Sequence, residues 1–121
     1  MISERRFFDS SLATFDARVG GAYKYTWRNQ ADGKEFSLSG TILELERPNR
    51  IVNNEIFDFQ EPGEPAIDTL ILTADGTGTL MTLSVLAPSV ASCEAMLATG
   101  MTDGMEYSYS ALDQLFLTAT A

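Results

Sequence analysis

Glu55 is the residue whose type and setting could do acid–base chemistry. Its carboxyl group lies in an apolar stretch, and by strand periodicity it shares a face with Asn53 and Phe57. If that face points inward, desolvation raises the pKa of Glu55 and leaves a general acid or base in apolar surroundings. The alternative is a solvent-facing glutamate that pairs across strands with Lys24 or Arg28. The sequence alone favours this second interpretation.

Other reactive groups are scarce. The chain has no histidine, which removes the commonest general base and the commonest transition-metal ligand. Cys93 is the single cysteine. It has no histidine to activate it as a nucleophile, and we expect it to be a small core residue of a helix. The carboxylates lack the spacing of a calcium loop, and we expect Glu61, Glu64 and Asp68 to lie in a solvated loop. We therefore predict no metal site and no cofactor.

A set of aromatic and apolar residues could instead bind a ligand. Tyrosine offers a hydroxyl within an apolar wall, and methionine adapts to irregular apolar shapes. The alternative is that these residues form an ordinary core, which the sequence favours. The candidate ligand-binding residues are Tyr23, Tyr25, Trp27, Phe36, Leu38 and Phe57 on strands, with Met101, Met105 and Tyr109 on a helix across from them.

The sequence predicts six antiparallel strands, and the candidate ligand-binding residues from Tyr23 to Phe57 lie on some of them. The clearest covers residues 22–28, where aromatic and polar side chains alternate. Two glycines at 20–21 predict a tight turn, and Asp32 with Gly33 predicts the next hairpin. The next strand contains Phe36, Leu38 and Ile42, and its alternation changes phase after residues 40–41, which predicts a β-bulge there. Further strands are expected at residues 10–18, 51–59, 66–74 and 79–87.

Two helices are predicted after Pro88, at residues 89–98 and 101–117. Ser89 can cap the first helix, and Gly100 supplies the break between them. Apolar residues at helical spacing predict one stripe running through both helices. The stripe consists of Cys93, Leu97, Met101, Met105, Leu112 and Leu115. It is expected to cover the apolar face of the sheet.

Composition narrows the class of protein. The chain has 121 residues and a net charge of −9, which disfavours nucleic acid and anionic membranes as partners. A single cysteine and a charged N-terminal segment favour a reducing, cytoplasmic setting. No segment approaches the ~20 apolar residues of a membrane span.

Several short motifs, taken together, resemble a known family. They resemble the START-like (SRPBCC) superfamily, and within it the C-terminal domain of the activator of the ninety-kilodalton heat-shock chaperone's ATPase (AHSA-type). The motifs are Asp16-x-Arg18-Val19-Gly20-Gly21-x-Tyr23-x-Tyr25, Pro48-x-Arg50-Ile51-Val52 and Ala98-Thr99-Gly100-Met101-x-x-Gly104-Met105.

The resemblance implies an α+β helix-grip fold in a single domain over residues 1–121. In such a fold a curved antiparallel sheet, here of about six strands, wraps a C-terminal helix and leaves an apolar cavity between them. The favoured function is binding of a small apolar or aromatic ligand, lipid-like or polyketide-like, in that cavity. The alternatives are an interaction module that activates the chaperone ATPase, or a cyclase- or hydrolase-like enzyme that uses Glu55. A non-enzymatic role is favoured over catalysis.

The start of the chain departs from the family pattern. Family members normally begin with a strand and one or two helices, and here residues 6–8 resemble the end of the last of those helices. The chain is therefore expected to be shortened at its N-terminus, which leaves an unpaired sheet edge. Because such edges are usually covered, we expect a homodimer.

Overall fold

The computed structural model describes residues 8–59 and 63–120. Six strands are followed by two helices. The strands are β1 (Phe8–Phe15), β2 (Ala22–Asn29), β3 (Glu35–Glu46), β4 (Arg50–Phe57), β5 (Ala66–Asp75) and β6 (Gly78–Leu86), and the helices are α1 (Val90–Ala98) and α2 (Met101–Thr120). The predicted α+β helix-grip class is confirmed by this content and order of elements.

The described residues up to Pro88 and those from Ser89 onward form two compact units, a sheet unit and a helical unit. The prediction of one domain over residues 1–121 stays a prediction. The predicted helix end at residues 6–8 falls outside the described range except for Phe8, where it is wrong because Phe8 begins β1.

The strands of the sheet unit lie in chain order, and all neighbours are antiparallel. This meander follows from the short turns that the sequence predicts between strands. Within the sheet, Tyr25 lies opposite Leu38, Trp27 opposite Phe36, and Leu38 opposite Phe57. Facing residues of an antiparallel pair project to the same side. The predicted aromatic side of β2, β3 and β4 is therefore confirmed as one face.

The same face continues across β5 and β6. Asn53 of β4 lies opposite Asp68, and Leu70 lies opposite Leu83 on the next strand. The apolar core of the sheet unit lies in its middle strands. Its buried members are Tyr23, Ile42, Val52 and Ala66.

The pairing of β3 with β4 is irregular, as predicted. The register shifts between Ile42 and Glu44, so that Leu43 is the additional residue. The prediction placed this bulge slightly too early, at residues 40–41. Glycine is required at position 40 for a reason other than the bulge, because a Cβ there would collide with the Asn54 carbonyl oxygen.

The helical unit begins as predicted. The Ser89 hydroxyl oxygen accepts a hydrogen bond from the Ser92 backbone N–H at 3.0 Å and caps α1. Gly100 has a φ of 78°, a left-handed conformation that costs glycine little and ends α1. The break at Gly100 is therefore confirmed.

The continuous apolar stripe is wrong in α1. Cys93 is exposed rather than part of a core, and Leu97 is 58% exposed. The buried residue of α1 is Met96, and Ser92, one turn earlier, is half-buried. The break at Gly100 resets the helical phase, so a stripe drawn through both helices does not hold for the first.

In α2 the prediction holds for part of the stripe. Met101 and Met105 are half-buried, whereas Leu112 is 49% and Leu115 68% exposed.

Candidate functional site

Four aromatic rings on β2 and β3 form a continuous row. The ring centres of Tyr23 and Tyr25 are 5.4 Å apart, and those of Tyr25 and Trp27 are 6.1 Å apart. Trp27 stacks on Phe36 at 5.2 Å with an interplanar angle of 23°. These separations and angles lie in the range that favours aromatic pairs.

The row extends at both ends. Phe15 of β1 lies 6.1 Å from Tyr23, and Phe36 lies 6.4 Å from Phe57 of β4. Phe57 stacks on Phe59 at 5.0 Å. We call this row the aromatic face; it consists of Phe15, Tyr23, Tyr25, Trp27, Phe36, Phe57 and Phe59.

Most of the aromatic face is accessible. Phe15 is 49% and Phe59 56% exposed, and only Tyr23 is fully buried among the seven rings. The other rings are half-buried. A closed core would bury these side chains, so the aromatic face is more open than an ordinary core.

The predicted strand residues of the ligand site come together in the sheet. Tyr23, Tyr25, Trp27, Phe36 and Phe57 share the ring row, and Leu38 lies between them in register. The predicted helix residues belong to the helical unit. There, Met101 and Met105 are half-buried and Tyr109 is 37% exposed. Their place in a ligand site stays a prediction.

A group of polar side chains adjoins the aromatic face at Tyr23. The Tyr23 hydroxyl donates to the Asn54 backbone oxygen at 2.6 Å and accepts from Asn53 Nδ2 at 2.9 Å. The Asn54 carbonyl is free to accept because the β3–β4 ladder is irregular there, and Asn54 Oδ1 accepts instead from the Thr41 backbone N–H at 2.7 Å. The Asn54 side chain thus replaces a backbone hydrogen bond of the β3–β4 ladder. The Asn54 main-chain carbonyl is then available to the Tyr23 hydroxyl.

Glu55 and Asp68 complete this group. Glu55 is 6% and Asp68 9% exposed. Burial raises the pKa of Glu55 to about 8, assisted by the hydrogen bond to Asp68 and by the charge of that carboxylate. Near neutral pH the two carboxyl groups therefore hold a proton. We call Tyr23, Asn53, Glu55 and Asp68 the polar cluster.

The favoured expectation for Glu55 is therefore wrong. It predicted a solvent-facing carboxylate paired with Lys24 or Arg28, and both of these basic residues are exposed. They lie on β2, which is not a neighbour of β4 in the sheet. Cross-strand pairs form between neighbouring strands, so the inward interpretation of Glu55 is the correct one.

Asp68 is a residue that the sequence prediction missed. It was assigned to a solvated acidic loop, but it lies within β5. The signal is present in the alternation, because Asp68 lies one strand period before the apolar Leu70 and within the strand predicted at residues 66–74. The loop proline at position 65 and the neighbouring acids at 61 and 64 hid it.

One atom of the polar cluster lacks a partner outside the carboxyl pair. Asp68 Oδ2 lies 3.4 Å from Asn53 Nδ2. Asp68 Oδ1 is buried, and apart from the proton that Glu55 and Asp68 hold between them, no N–H or hydroxyl of the described residues donates to it. Buried carboxylate oxygens normally accept at least one hydrogen bond.

The tyrosine hydroxyls of this region stay protonated. Burial raises the pKa of Tyr23, and the nearby Glu55 and Asp68 carboxyls raise it further against the opposing effect of the Asn53 hydrogen bond. Burial also raises the pKa of Tyr25. Tyr23 is therefore a hydrogen-bonding group rather than a base.

Beyond the polar cluster the sheet carries a small apolar pocket of about 170 Å³. Its apolar walls come from Leu45, Ile51, Leu70 and Leu72, next to the turn between β3 and β4. Ile51 and Leu70 are paired one period away from the Asn53–Asp68 pair. The polar cluster thus has apolar surface on both sides.

Two surface ion pairs lie elsewhere. Arg18 Nε lies 2.7 Å from Asp16 Oδ2, beside the turn between β1 and β2. Arg50 lies 2.9 Å from Glu44, and that hydrogen bond raises the pKa of Arg50. No group of three or more metal-binding side chains occurs in the described parts of the chain. In residues 8–59 and 63–120 no helix is long and apolar enough to span a membrane.

Comparisons with known proteins identify related sequences and folds. A family model described as "Activator of Hsp90 ATPase homolog 1-like protein" matches residues 3–117. None of the curated proteins matches the chain.

Solved structures share the fold. A protein from Rhodobacter sphaeroides superposes with a TM-score of 0.82 at 24% identity, covering 93% of this chain and 72% of its own. Protein Ms6760 from Mycobacterium smegmatis gives 0.77 at 19% identity, with 89% and 69% covered. Protein CV1439 from Chromobacterium violaceum gives 0.60 at 26% identity, with 76% and 65% covered.

Proposed function

We propose that this chain, which belongs to the family of activator of Hsp90 ATPase homolog 1-like proteins, binds a small apolar or aromatic ligand on the aromatic face of its sheet. The observation that carries the proposal is the unbroken row of ring contacts across β1 to β4. The START-like resemblance supports it, because that fold is built around apolar ligand space.

The physical basis is the accessibility of the rings. Removing apolar surface from water contributes roughly 25 cal/mol per Å². Half-buried rings still have surface to cover, and rings fixed by their neighbours lose little entropy when a ligand covers them. The stacked pair of Trp27 and Phe36 offers the flattest part of this surface.

The polar cluster gives such a ligand an orientation. Ligand sites are mostly apolar with a few placed polar groups. Here those groups adjoin one part of the row, where the Tyr23 hydroxyl is held by Asn53 and the Asn54 carbonyl. A ligand with one polar end and an apolar body suits this arrangement.

The test uses the single tryptophan of the chain, Trp27, which lies in the row. Titration with n-octanol is expected to shift the Trp27 emission to shorter wavelength in a saturable way and to raise the unfolding temperature. The variant Tyr25→Ser is expected to weaken binding about tenfold, which corresponds to roughly 1.4 kcal/mol.

The matched control is Leu86→Ser, an equally polar change on β6. Leu86 is 71% exposed and lies on the other side of the sheet from Asp68. It is expected to bind n-octanol like the wild type. Absence of any saturable change in the wild type, or equal weakening by both variants, would overturn the proposal.

Acid–base catalysis is a second candidate, and the buried carboxyl pair favours it. A glutamate whose pKa is about 8 carries its proton at neutral pH and can donate it. The proposal would be supported by a turnover that Glu55→Gln abolishes and Glu44→Gln leaves intact. Unchanged turnover in the Glu55 variant would remove Glu55 from the reaction.

Activation of a chaperone ATPase remains a prediction that the family description suggests. Stimulation of the purified chaperone's ATPase by the chain would support it. No stimulation at concentrations well above those of the chaperone would contradict it. A cytoplasmic setting is proposed with it, on the basis of the single cysteine.

The homodimer also remains a proposal. β1 lies at one edge of the sheet formed by the described strands, and edge strands present unpaired backbone groups. Light scattering across a concentration series is expected to give twice the mass of one chain. A monomer at every concentration would contradict the proposal.

A further inference from the structure

Asp68 Oδ1 has no donor outside the carboxyl pair, and a purely apolar ligand would not supply one. Asp68 is nine-tenths buried, and apart from the proton that it shares with Glu55, no N–H or hydroxyl of the described residues donates to Oδ1. Leaving a buried acceptor without a donor costs roughly 1 to 3 kcal/mol. A bound group that donates to this oxygen would recover that cost.

In residues 8–59 and 63–120 no basic side chain forms an ion pair with the polar cluster. The ion pairs shown by the described residues are those of Arg18 with Asp16 and Arg50 with Glu44, on other parts of the surface. Glu55 and Asp68 together carry negative charge, and buried charge is normally paired. The environment therefore favours a positive group supplied from outside.

The geometry beside Asp68 limits what that positive group can be. A metal ion would require more protein ligands, and the described residues contain no group of three. The adjacent surface is aromatic, starting at Tyr23, whose hydroxyl is joined to Asp68 through the Asn53 amide. Aromatic faces attract organic cations. A ligand with an ammonium group and an apolar body can pair with Asp68 and cover the aromatic face at the same time.

We propose that the ligand is an amphiphilic amine, whose ammonium group donates to Asp68 while its apolar body lies on the aromatic face. This inference rests on the proposed function, since it names the class of ligand that the aromatic face binds. It assigns Asp68 as the residue that selects positive charge, and Glu55 as its proton-sharing partner.

A proton linkage follows from this arrangement. Glu55 holds a proton near neutral pH, and its surroundings include Asp68 on β5, Tyr23 on β2 and the neutral Asn53 on its own strand. Tyr23 does not titrate in this range. An incoming ammonium favours the ionised form of Glu55. Binding of the amine is therefore expected to release a proton, and affinity is expected to rise as the pH increases from 6 to about 8.

The experiment compares n-octylamine, n-octanol and octanoate, which share one apolar body and differ in head group. Calorimetric titration is run at pH 7 in two buffers of different ionisation enthalpy, so that proton release is measured directly. The wild type is expected to bind n-octylamine at least tenfold more tightly than n-octanol, to bind octanoate most weakly, and to release a proton only with the amine.

The variant Asp68→Asn is expected to bind n-octylamine no more tightly than n-octanol, so that the preference for the amine is lost. Glu44→Gln, which removes an exposed carboxylate elsewhere, is expected to keep the preference. Circular dichroism and the Trp27 emission establish that each variant is folded. If Asp68→Asn does not fold, the proton release of the wild type still decides the question.

The outcomes separate the two proposals. Binding of n-octanol and n-octylamine with equal affinity and without proton release would overturn the amine inference and leave the apolar-ligand function standing. An amine preference that persists in a folded Asp68→Asn protein would also overturn it. Failure of all three probes to bind would overturn both.

Discussion

The aromatic face and the polar cluster lie side by side on one sheet, but they are held in opposite ways. The aromatic face rests on a regular β2–β3 ladder whose facing residues stack. The polar cluster lies where the β3–β4 ladder is interrupted and side chains replace backbone bonds. Burial of rings is favourable by itself, whereas burial of two carboxyls is costly.

This difference between the aromatic face and the polar cluster indicates which groups stabilise the fold and which are retained for function. The rings contribute to folding with or without a ligand. The carboxyl pair adds little to the stability of the unliganded protein, and such costly groups typically mark functional sites. Four substitutions test this contrast, from the largest expected effect to the smallest.

Gly40→Ala is expected to destabilise most. A Cβ at this position collides with the Asn54 carbonyl oxygen and the Tyr23 ring, both of which belong to the interrupted ladder. We expect a loss of at least about 3 kcal/mol in the free energy of unfolding, since backbone has to move. Gly78→Ala is the matched control, because its Cβ would meet only the Asp75 oxygen, at 3.6 Å.

Urea unfolding measures both glycine variants. Gly78→Ala is expected to change stability by less than about 1 kcal/mol. Equal losses in the two variants would show that the close approach at Gly40 is not a special constraint.

Glu55→Gln is expected to change the pH dependence of stability. The folded protein holds the Glu55 proton up to a pKa of about 8, against an ordinary value of 4.5. Between these values the folded state binds more protons than the unfolded chain, so the free energy of unfolding falls as pH rises. We expect the wild type to lose on the order of 5 kcal/mol across this window.

The Gln variant is expected to lose much less, because it has no proton to release at this position. Urea midpoints at several pH values measure the slope, and Glu44→Gln is expected to keep the wild-type slope. Parallel curves for wild type and Glu55→Gln would contradict the buried, protonated Glu55.

Tyr23→Phe is expected to cost about 1 to 2 kcal/mol, because it removes a hydroxyl that donates to Asn54 and accepts from Asn53. The ring and its stacking contacts remain. Tyr25→Phe is the control, and we expect it to change stability by less than about 0.5 kcal/mol. A larger loss of stability for Tyr25→Phe than for Tyr23→Phe would contradict the assignment of the stabilising hydroxyl to Tyr23.

Glu44→Gln is expected to have the smallest effect. It removes a carboxylate that is 55% exposed and pairs with Arg50 at the surface, and exposed pairs contribute little to stability. Its unfolding midpoint is expected to match that of the wild type in low and high salt. A midpoint far below the wild type would remove the contrast between surface and buried carboxyls.

Much of this architecture could be predicted from local patterns. The alternation of residues 22–28, the turn residues and the Ser89 cap each act over a few positions, and each is confirmed. The break at Gly100 has the same local origin.

The polar cluster could be predicted only in part, because it depends on neighbours distant in sequence. Glu55 could be placed on a face with Asn53, but its burial depends on β5, which brings Asp68 beside it. Asp68 looked like a loop residue because proline and acids precede it. Cys93 was misplaced because the phase of one helix does not carry through a break into the next.

The most direct test of ligand binding at the aromatic face is a ¹⁵N chemical-shift titration with n-octanol. The account predicts that the largest saturable shifts fall on the Trp27 indole N–H and on the backbone amides of Tyr23, Tyr25 and Phe36. Shifts concentrated instead on the other side of the sheet, at Leu86 and its neighbours, or no saturable shift at all, would contradict it.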